Sequence, residues 1–307
     1  MKRIFWKLQA TAFYILTLVA AGLPASITCR MGTVAGFLTP RLIPSRRAIA
    51  VDNIRRALPF MKNPPLWNCS DNSAEELAAE TFKNLGRSLM EICRLYHGKG
   101  EDVISCVEIQ GLEYYKAAKA KGKGLIFFSG HCGNWELLAL ALSRLLGESV
   151  SGVARKQNNP YLNRIVEQMR MRYNNKVLYK KGALKGILSA LKKEQLVGLL
   201  ADQAVIPQEG ALIDVLGRKA WVSKAPVVIA QKSGAPLLPV FIHREGKKHI
   251  ITFYPEQTFS GDMTDEGVQR DIQALSRYVE NFIIEHPTQW YWVHRRWKRA
   301  GEISDAA

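Results

Sequence analysis

Acidic residues are scarce in this chain. Its 307 residues hold 27 Asp and Glu against 43 Lys and Arg, a formal net charge of +16. A surplus of that size implies a negatively charged partner: nucleic acid, anionic lipid, an acidic protein or a phosphorylated substrate. Cysteine is sparse too. Cys29, Cys69, Cys93, Cys106 and Cys132 form no C-x-x-C pair, so neither a zinc site nor a disulfide framework is signalled. An odd, scattered count suits reduced thiols and a reducing compartment. Internal repeats and low-complexity segments are missing. Long apolar runs are few: mean hydropathy is -0.10 and one uncharged stretch stands out, which argues against a polytopic membrane protein. What is plentiful is apolar side chain overall, 47%. That share builds a sizeable core and excludes intrinsic disorder, and the length allows one large domain or two modest ones.

The uncharged stretch runs from Leu8 to Cys29. As helix it is about long enough to cross a bilayer core, which takes ~20 residues. A cleaved signal peptide and a buried core helix are the rival readings. Residues 1–60 carry nine Lys and Arg against Asp52 alone, a net +8. These cations flank the stretch on both sides, so the positive-inside rule gives no orientation. A helix lying in the membrane plane with basic flanks on anionic lipid fits as well as a true span.

Residues 61–74 are rich in Pro, Asn and Ser and read as a loop. Ser73 can cap a helix over 74–96, with Glu75, Glu76 and Glu80 near its positive end. After residue 100 strands alternate with helices. Strands are predicted at 107–110, 125–129, 150–154, 196–201, 236–242 and 250–254. Helices are predicted at 112–121, 135–146, 160–173, 184–193, 223–233 and 264–286. Such alternation specifies an α/β layer fold around a mainly parallel central sheet. The organisation expected is an anchor or interfacial helix at 1–30, a basic helical region at 31–100, and an α/β domain at 101–307.

The string Ser129-Gly130-His131-Cys132-Gly133-Asn134-Trp135-Glu136 follows the buried strand Leu125–Ser129 and opens a helix. Ligand sites of α/β folds lie at this kind of place, just outside a strand's carboxyl end. Asn134 is a good N-cap and Glu136 favours the helix dipole. With His131 on the preceding turn, the Glu136 carboxylate can reach back to the imidazole, fix its tautomer and raise its basicity. The pair then serves as a general base for a hydroxyl or water. Unpaired amides at the helix start can stabilise an oxyanion. Cys132 as nucleophile is a rival, poorly served by having His131 as its immediate neighbour. The plain alternative is a capped helix start with His131 as a loop residue.

This His-x-x-x-x-Glu string resembles the HxxxxD/E motif of glycerolipid-type acyltransferases. Its Asn-Trp-Glu form is similar to the lipid A biosynthesis acyltransferases. Further matches follow in order: Ala154-Arg155-Lys156 with Asn159-Pro160, Arg170, Ala201-Asp202-Gln203, Leu216-Gly217-Arg218, Ser223-Lys224-Ala225-Pro226, Gly234-Ala235-Pro236, and a tail from Pro287 to Lys298. The chain departs at Val215-Leu216, where an aromatic pair is usual, and at Ala225-Pro226, where Gly-Pro is common. The resemblance implies a glycerolipid acyltransferase-like sheet flanked by helices, with an N-terminal apolar membrane helix. It implies transfer of a fatty acyl group from a thioester, on acyl carrier protein or coenzyme A, to a hydroxyl of a lipid A precursor-type glycolipid. His131 would remove the hydroxyl proton and Glu136 would orient His131. Asn134, Arg155, Arg170, Asp202 and Gln203 would bind or support substrate. No cofactor or metal is implied, and the location is the bacterial inner membrane with the catalytic domain on its cytoplasmic face. The alternatives are another acceptor (lysophospholipid, ornithine lipid or phosphatidylinositol mannoside) and a His/Glu hydrolase.

The charge then has addresses. Residues 152–193 hold eleven Lys and Arg against Glu167, a net +10, suited to acceptor phosphates or the acidic surface of acyl carrier protein. Trp290, Tyr291, Trp292 and Trp297 among Arg295, Arg296, Lys298 and Arg299 read as an interfacial anchor on an anionic membrane surface, or else as a segment packed on the core. Nucleic acid is not expected as a partner, because no helix-turn-helix, RNP-like or zinc-finger pattern accompanies the charge.

Overall fold

A computed structural model describes residues 2–67, 69 and 72–300. Four helices come first: α1 (Lys2–Gly22), α2 (Ala25–Leu42), α3 (Pro44–Met61) and α4 (Ala74–Tyr96). Then follow α5 (Glu101–Ile104), β1 (Val107–Gln110), α6 (Leu112–Lys119), β2 (Leu125–Ser129), α7 (Trp135–Leu146), β3 (Val150–Ala154), α8 (Pro160–Arg170), β4 (Lys176–Tyr179), α9 (Ala183–Lys192) and β5 (Leu196–Leu200). The chain ends with β6 (Gly210–Val215), β7 (Arg218–Ser223), α10 (Ala225–Ser233), β8 (Leu237–Glu245), β9 (Lys248–Phe253) and α11 (Asp265–Glu285).

Seven strands form one sheet in the order β1-β9-β8-β2-β5-β3-β4. Its β8-β2-β5-β3-β4 part is entirely parallel. β9 runs antiparallel to β8 and β1 parallel to β9. The expected mainly parallel α/β sheet is therefore present. Leu125, Ile126, Phe127 and Phe128 on β2 are buried on both faces, as a central strand covered by helices on each side requires. Three strands were not among those expected from the sequence: β4 and the two of the separate β6–β7 hairpin. β4 begins at a lysine, and the hairpin's Asp214, Arg218 and Lys219 obscure its alternation. The helix expected from residue 223 begins at Ala225, because Ser223 closes β7.

The uncharged run at Leu8–Cys29 is not one helix. It breaks at Leu23 and Pro24, where Pro24 adopts φ -55 and ψ 144. Proline lacks the N–H needed to continue a helix and pushes the residue before it out of the helical region. α2 then packs backbone-close on α4: a Cβ on Gly32 would stand 2.6 Å from the Gly86 carbonyl oxygen. α4 itself starts as expected, with Ser73 and Glu76 forming a reciprocal capping box.

α1 is long and apolar enough to cross a membrane, yet it is tied to the rest of the fold along its length. Near its start, Arg3 Nε donates to the Tyr161 hydroxyl at 2.9 Å, and Asn159 donates to the Trp6 carbonyl and the Gln9 side chain, each at 2.9 Å. Near its end, Thr17 Oγ1 meets His97 Nε2 at 2.9 Å, and Arg94 donates to the Leu23 carbonyl. The opposite side is apolar and exposed, through Phe5, Leu8, Leu16 and Val19. Val34 and Phe37 of α2 extend it. By contrast α3 and α4 send Ile54, Met61, Leu77 and Phe82 into the same core as Ile126 and Phe128 of β2.

Candidate active site

β2 and β5 are paired in parallel with Ser129 opposite Leu200. The chain therefore leaves both strands side by side, and the residues just beyond, Gly130-His131 and Ala201-Asp202, face each other. Gly133 makes the turn possible: its φ is +54, and a Cβ there would collide with the Ile242 carbonyl oxygen on β8. Asn134 caps α7 by accepting from the Leu137 amide at 3.2 Å.

Asp202 grips the turn twice. Its Oδ1 lies 2.6 Å from His131 Nδ1, and its Oδ2 accepts from the His131 backbone amide at 2.8 Å. A third donor is the Trp290 indole N–H, 2.7 Å from Oδ2. The Asp202 side chain is only 3% exposed. Burial alone would favour its neutral form, but the imidazole beside it and these donors hold the carboxyl well below the usual carboxylate range. For His131 the opposing effects run the other way. Burial would depress the imidazole, and the Asp202 carboxylate outweighs it, lifting the pKa above that of an ordinary histidine. An ionised carboxylate on Nδ1 keeps the ring proton there and leaves the lone pair on Nε2.

Glu136 does not take the place expected of it. Its carboxylate is bound by Arg170, which donates through Nε at 3.1 Å and also through Nη2, and by the Tyr96 hydroxyl at 2.8 Å. The hydrogen bond expected from Glu136 to the imidazole is made by Asp202 instead. The reason is geometric. The end of β5 presents Asp202 at bonding distance, whereas Glu136 on the first turn of α7 points toward the end of α8. Glu136 still bears on His131 electrostatically, favouring the protonated ring. Arg170, raised above its ordinary value despite partial burial, is a permanent cation there.

The remaining expected residues divide. Gln203 Nε2 sits 3.2 Å from His131 Nε2. Asn134 Nδ2 donates to Glu91 at 2.9 Å. Glu91 is itself clamped by Arg244 at 2.5 and 2.7 Å and by His249 at 3.2 Å. Burial would raise the Glu91 carboxyl, but these partners hold it down at about 2. Arg155 stays exposed beyond β3 and joins none of these bonds. Cys132 is 1% exposed, and burial pushes its thiol far up, so the rival nucleophile is closed off. The oxyanion role expected of the turn is also narrowed. The His131 amide is held by Asp202, Gly133 by the Gln289 carbonyl at 2.6 Å and Leu137 by Asn134.

Of the two readings of the C-terminal aromatics, the segment packed on the core is the one present. Trp290, Trp292 and Trp297 are buried rather than laid out at a membrane surface. The segment runs beside the motif turn: Tyr291 donates its amide to the His131 carbonyl at 3.1 Å, and Cys132 bridges to Trp290. Trp135 and Tyr291 flank the imidazole, with ring centroids 5.2 and 6.0 Å away. Sequence reasoning missed Trp290 and Tyr96 as site residues. Trp290 was read with its basic neighbours, and Tyr96 only closes the helix expected over 74–96.

The family described as bacterial lipid A biosynthesis acyltransferase matches residues 4–299. The lipid A biosynthesis lauroyltransferase of Escherichia coli (strain K12) is 25% identical over 283 residues, covering 91% of this chain and 88% of the relative. The lipid A biosynthesis palmitoleoyltransferase of the same organism is 24% identical over 277 residues, covering 90% and 86%. A phosphatidylinositol mannoside acyltransferase of Mycobacterium tuberculosis (strain CDC 1551 / Oshkosh) is 26% identical over 235 residues, covering 73% and 71%. With the match running through both strand ends and the C-terminal segment, the chain belongs to the bacterial lipid A biosynthesis acyltransferase family and is an acyltransferase.

Proposed function

We propose that this protein transfers a fatty acyl group from an acyl thioester to a hydroxyl of a lipid A precursor-type glycolipid, at the cytoplasmic face of a bacterial inner membrane. The observation that carries the proposal is the 2.6 Å contact between His131 Nδ1 and the buried Asp202 carboxylate, which leaves Nε2 as the basic nitrogen. The acceptor hydroxyl gives its proton to Nε2 as its oxygen bonds to the thioester carbonyl carbon. Asp202 stabilises the imidazolium that forms. The tetrahedral intermediate then collapses, the C–S bond breaks, and the imidazolium returns the proton to the departing sulfur. Glu136, held by Arg170 and Tyr96, serves as a binding and electrostatic support beside the base rather than as its orienting partner.

The basic surplus supports a phosphate-bearing donor and acceptor. Arg155 and Lys156 directly follow β3, and Lys180 and Lys181 directly follow β4. Since these strands are parallel to β2 and β5, the four cations stand on the same edge as His131 and Asp202. Both acyl carrier protein and coenzyme A present phosphate along the arm that carries the thioester, so the cluster suits either. Lys176, Lys192 and Lys193 lie at the other edge and read as solvated surface.

Membrane association rests on α1 and α2. A helix bound at both ends to the catalytic fold suits a position along the bilayer surface, with its exposed apolar side in the acyl boundary and its flanking cations on anionic headgroups. The test is mass spectrometry of glycolipids after incubating the full chain in anionic vesicles with an acyl thioester and a lipid A precursor. Acyl addition by the parent and none by His131→Ala is expected. Full transfer by a folded His131→Ala would overturn the mechanism. Acyl addition only to a lysophospholipid or a mannosylated phosphoinositide would overturn the acceptor.

A further inference from the structure

The reactive nitrogen of His131 is covered. The Nδ1 proton is committed to Asp202, so Nε2 is an acceptor, and the Gln203 side-chain amide lies 3.2 Å from it as the donor. Asp202 and Gln203 are consecutive, and one strand end thus supplies both groups that grip the ring, one on each nitrogen. Trp135 and Tyr291 flank the ring, with centroids 5.2 and 6.0 Å away.

We propose that Gln203 is a latch on the general base: in the resting enzyme its amide holds the position at which the acceptor hydroxyl must donate. The inference rests on the reading of His131 as that base. A lipid acceptor brings binding energy from its whole body to displace the amide. A water molecule brings none and must compete with a donor tethered beside the nitrogen. The latch therefore suppresses a wasteful side reaction. In that reaction water would give a proton to Nε2 while its oxygen bonds to the thioester carbonyl carbon. The C–S bond would then break with the proton passing to sulfur, releasing a free fatty acid and a thiol.

Two readouts separate a latch from a merely structural glutamine. The first is carbethoxylation of His131 by diethyl pyrocarbonate, which requires the free Nε2 lone pair, followed by peptide mass spectrometry across pH in the full chain. The groups facing the ring are Asp202 from the end of β5, Glu136 from α7, Arg170 from α8 and His294 from the C-terminal segment. None of these changes in a Gln203 variant. Gln203→Leu is expected to raise the limiting rate about fivefold, the worth of one modest hydrogen bond. It also removes a donor that favours the neutral ring, so the midpoint moves up by about half a pH unit. Gln203→Glu, which favours the imidazolium, moves it further in the same direction. The second readout is thiol release from a fatty acyl coenzyme A thioester without acceptor, corrected for the rate with His131→Ala. Gln203→Leu is expected to raise hydrolysis about fivefold relative to acyl transfer. Unchanged carbethoxylation rate and midpoint in a folded Gln203→Leu overturn the latch. An unchanged hydrolysis-to-transfer ratio also overturns it. Transfer that persists in His131→Ala overturns the mechanism beneath it, whatever the carbethoxylation result.

Discussion

Two carboxylates stand near His131, and they are held in different ways. Asp202 is buried at 3% side-chain exposure and fixed by three N–H donors, two from the motif turn and one from Trp290. Glu136 is 16% exposed and bound by a partly exposed cation, Arg170, at 31%, and by one hydroxyl. The first arrangement fixes a tautomer, and the second balances a charge. Position in the motif did not decide which carboxylate meets the imidazole; the pairing of β2 with β5 did.

The largest expected effect tests that difference directly. Asp202→Asn removes the charge that keeps the proton on Nδ1, and kcat should fall by roughly a thousandfold or more, as in comparable triads. The acid limb of the rate profile should move to lower pH, because the carboxylate is what lifts the imidazole. In the parent that limb should lie above the ordinary histidine value, with activity lost as pH falls through it. A loss below tenfold in steady-state kinetics would return the orienting role to Glu136.

Glu136→Gln should cost on the order of 10- to 100-fold in kcat/KM, since it leaves Arg170 beside the base unbalanced. Arg170→Gln should cost a similar amount, and the double variant little more than either alone. Full additivity in that double-mutant cycle would separate Glu136 from Arg170. Trp290→Phe should be milder. It removes one donor from a buried charge, which costs about 1.5–3 kcal/mol of stability by thermal or denaturant unfolding. A more basic Asp202 would then move the acid limb up by about half a unit. The smallest effect belongs to the sheet-edge cations. Lys180→Ala with Lys181→Ala should raise KM about two- to fivefold at low salt and almost not at all at high salt. A KM effect independent of ionic strength would remove them from substrate attraction.

Much of the fold is legible from local pattern. Trp135–Leu146 and Leu125–Ser129 are set by apolar periodicity and by their punctuation, and so is Ser73 as the cap of α4. The strands that escaped, Lys176–Tyr179 and the Gly210–Val215 and Arg218–Ser223 hairpin, carry charges that blur alternation. The break at Pro24 is itself a local signal, outweighed in the reading by the absence of charge across it. The site was half legible. His131 on a strand-to-helix turn follows from glycines and a cap within eight residues.

The amino-acid sequence by itself determined the α/β alternation, the turn that carries His131 and the apolar start of the chain, because each depends on residues close together. Only the tertiary structure decided that Asp202 rather than Glu136 grips the imidazole, that Gln203 covers its other nitrogen, and that Trp290 is buried against Asp202. Those contacts join residues 71, 72 and 88 positions apart. They are set by which strand ends lie side by side and by what packs over them, which no local spacing encodes.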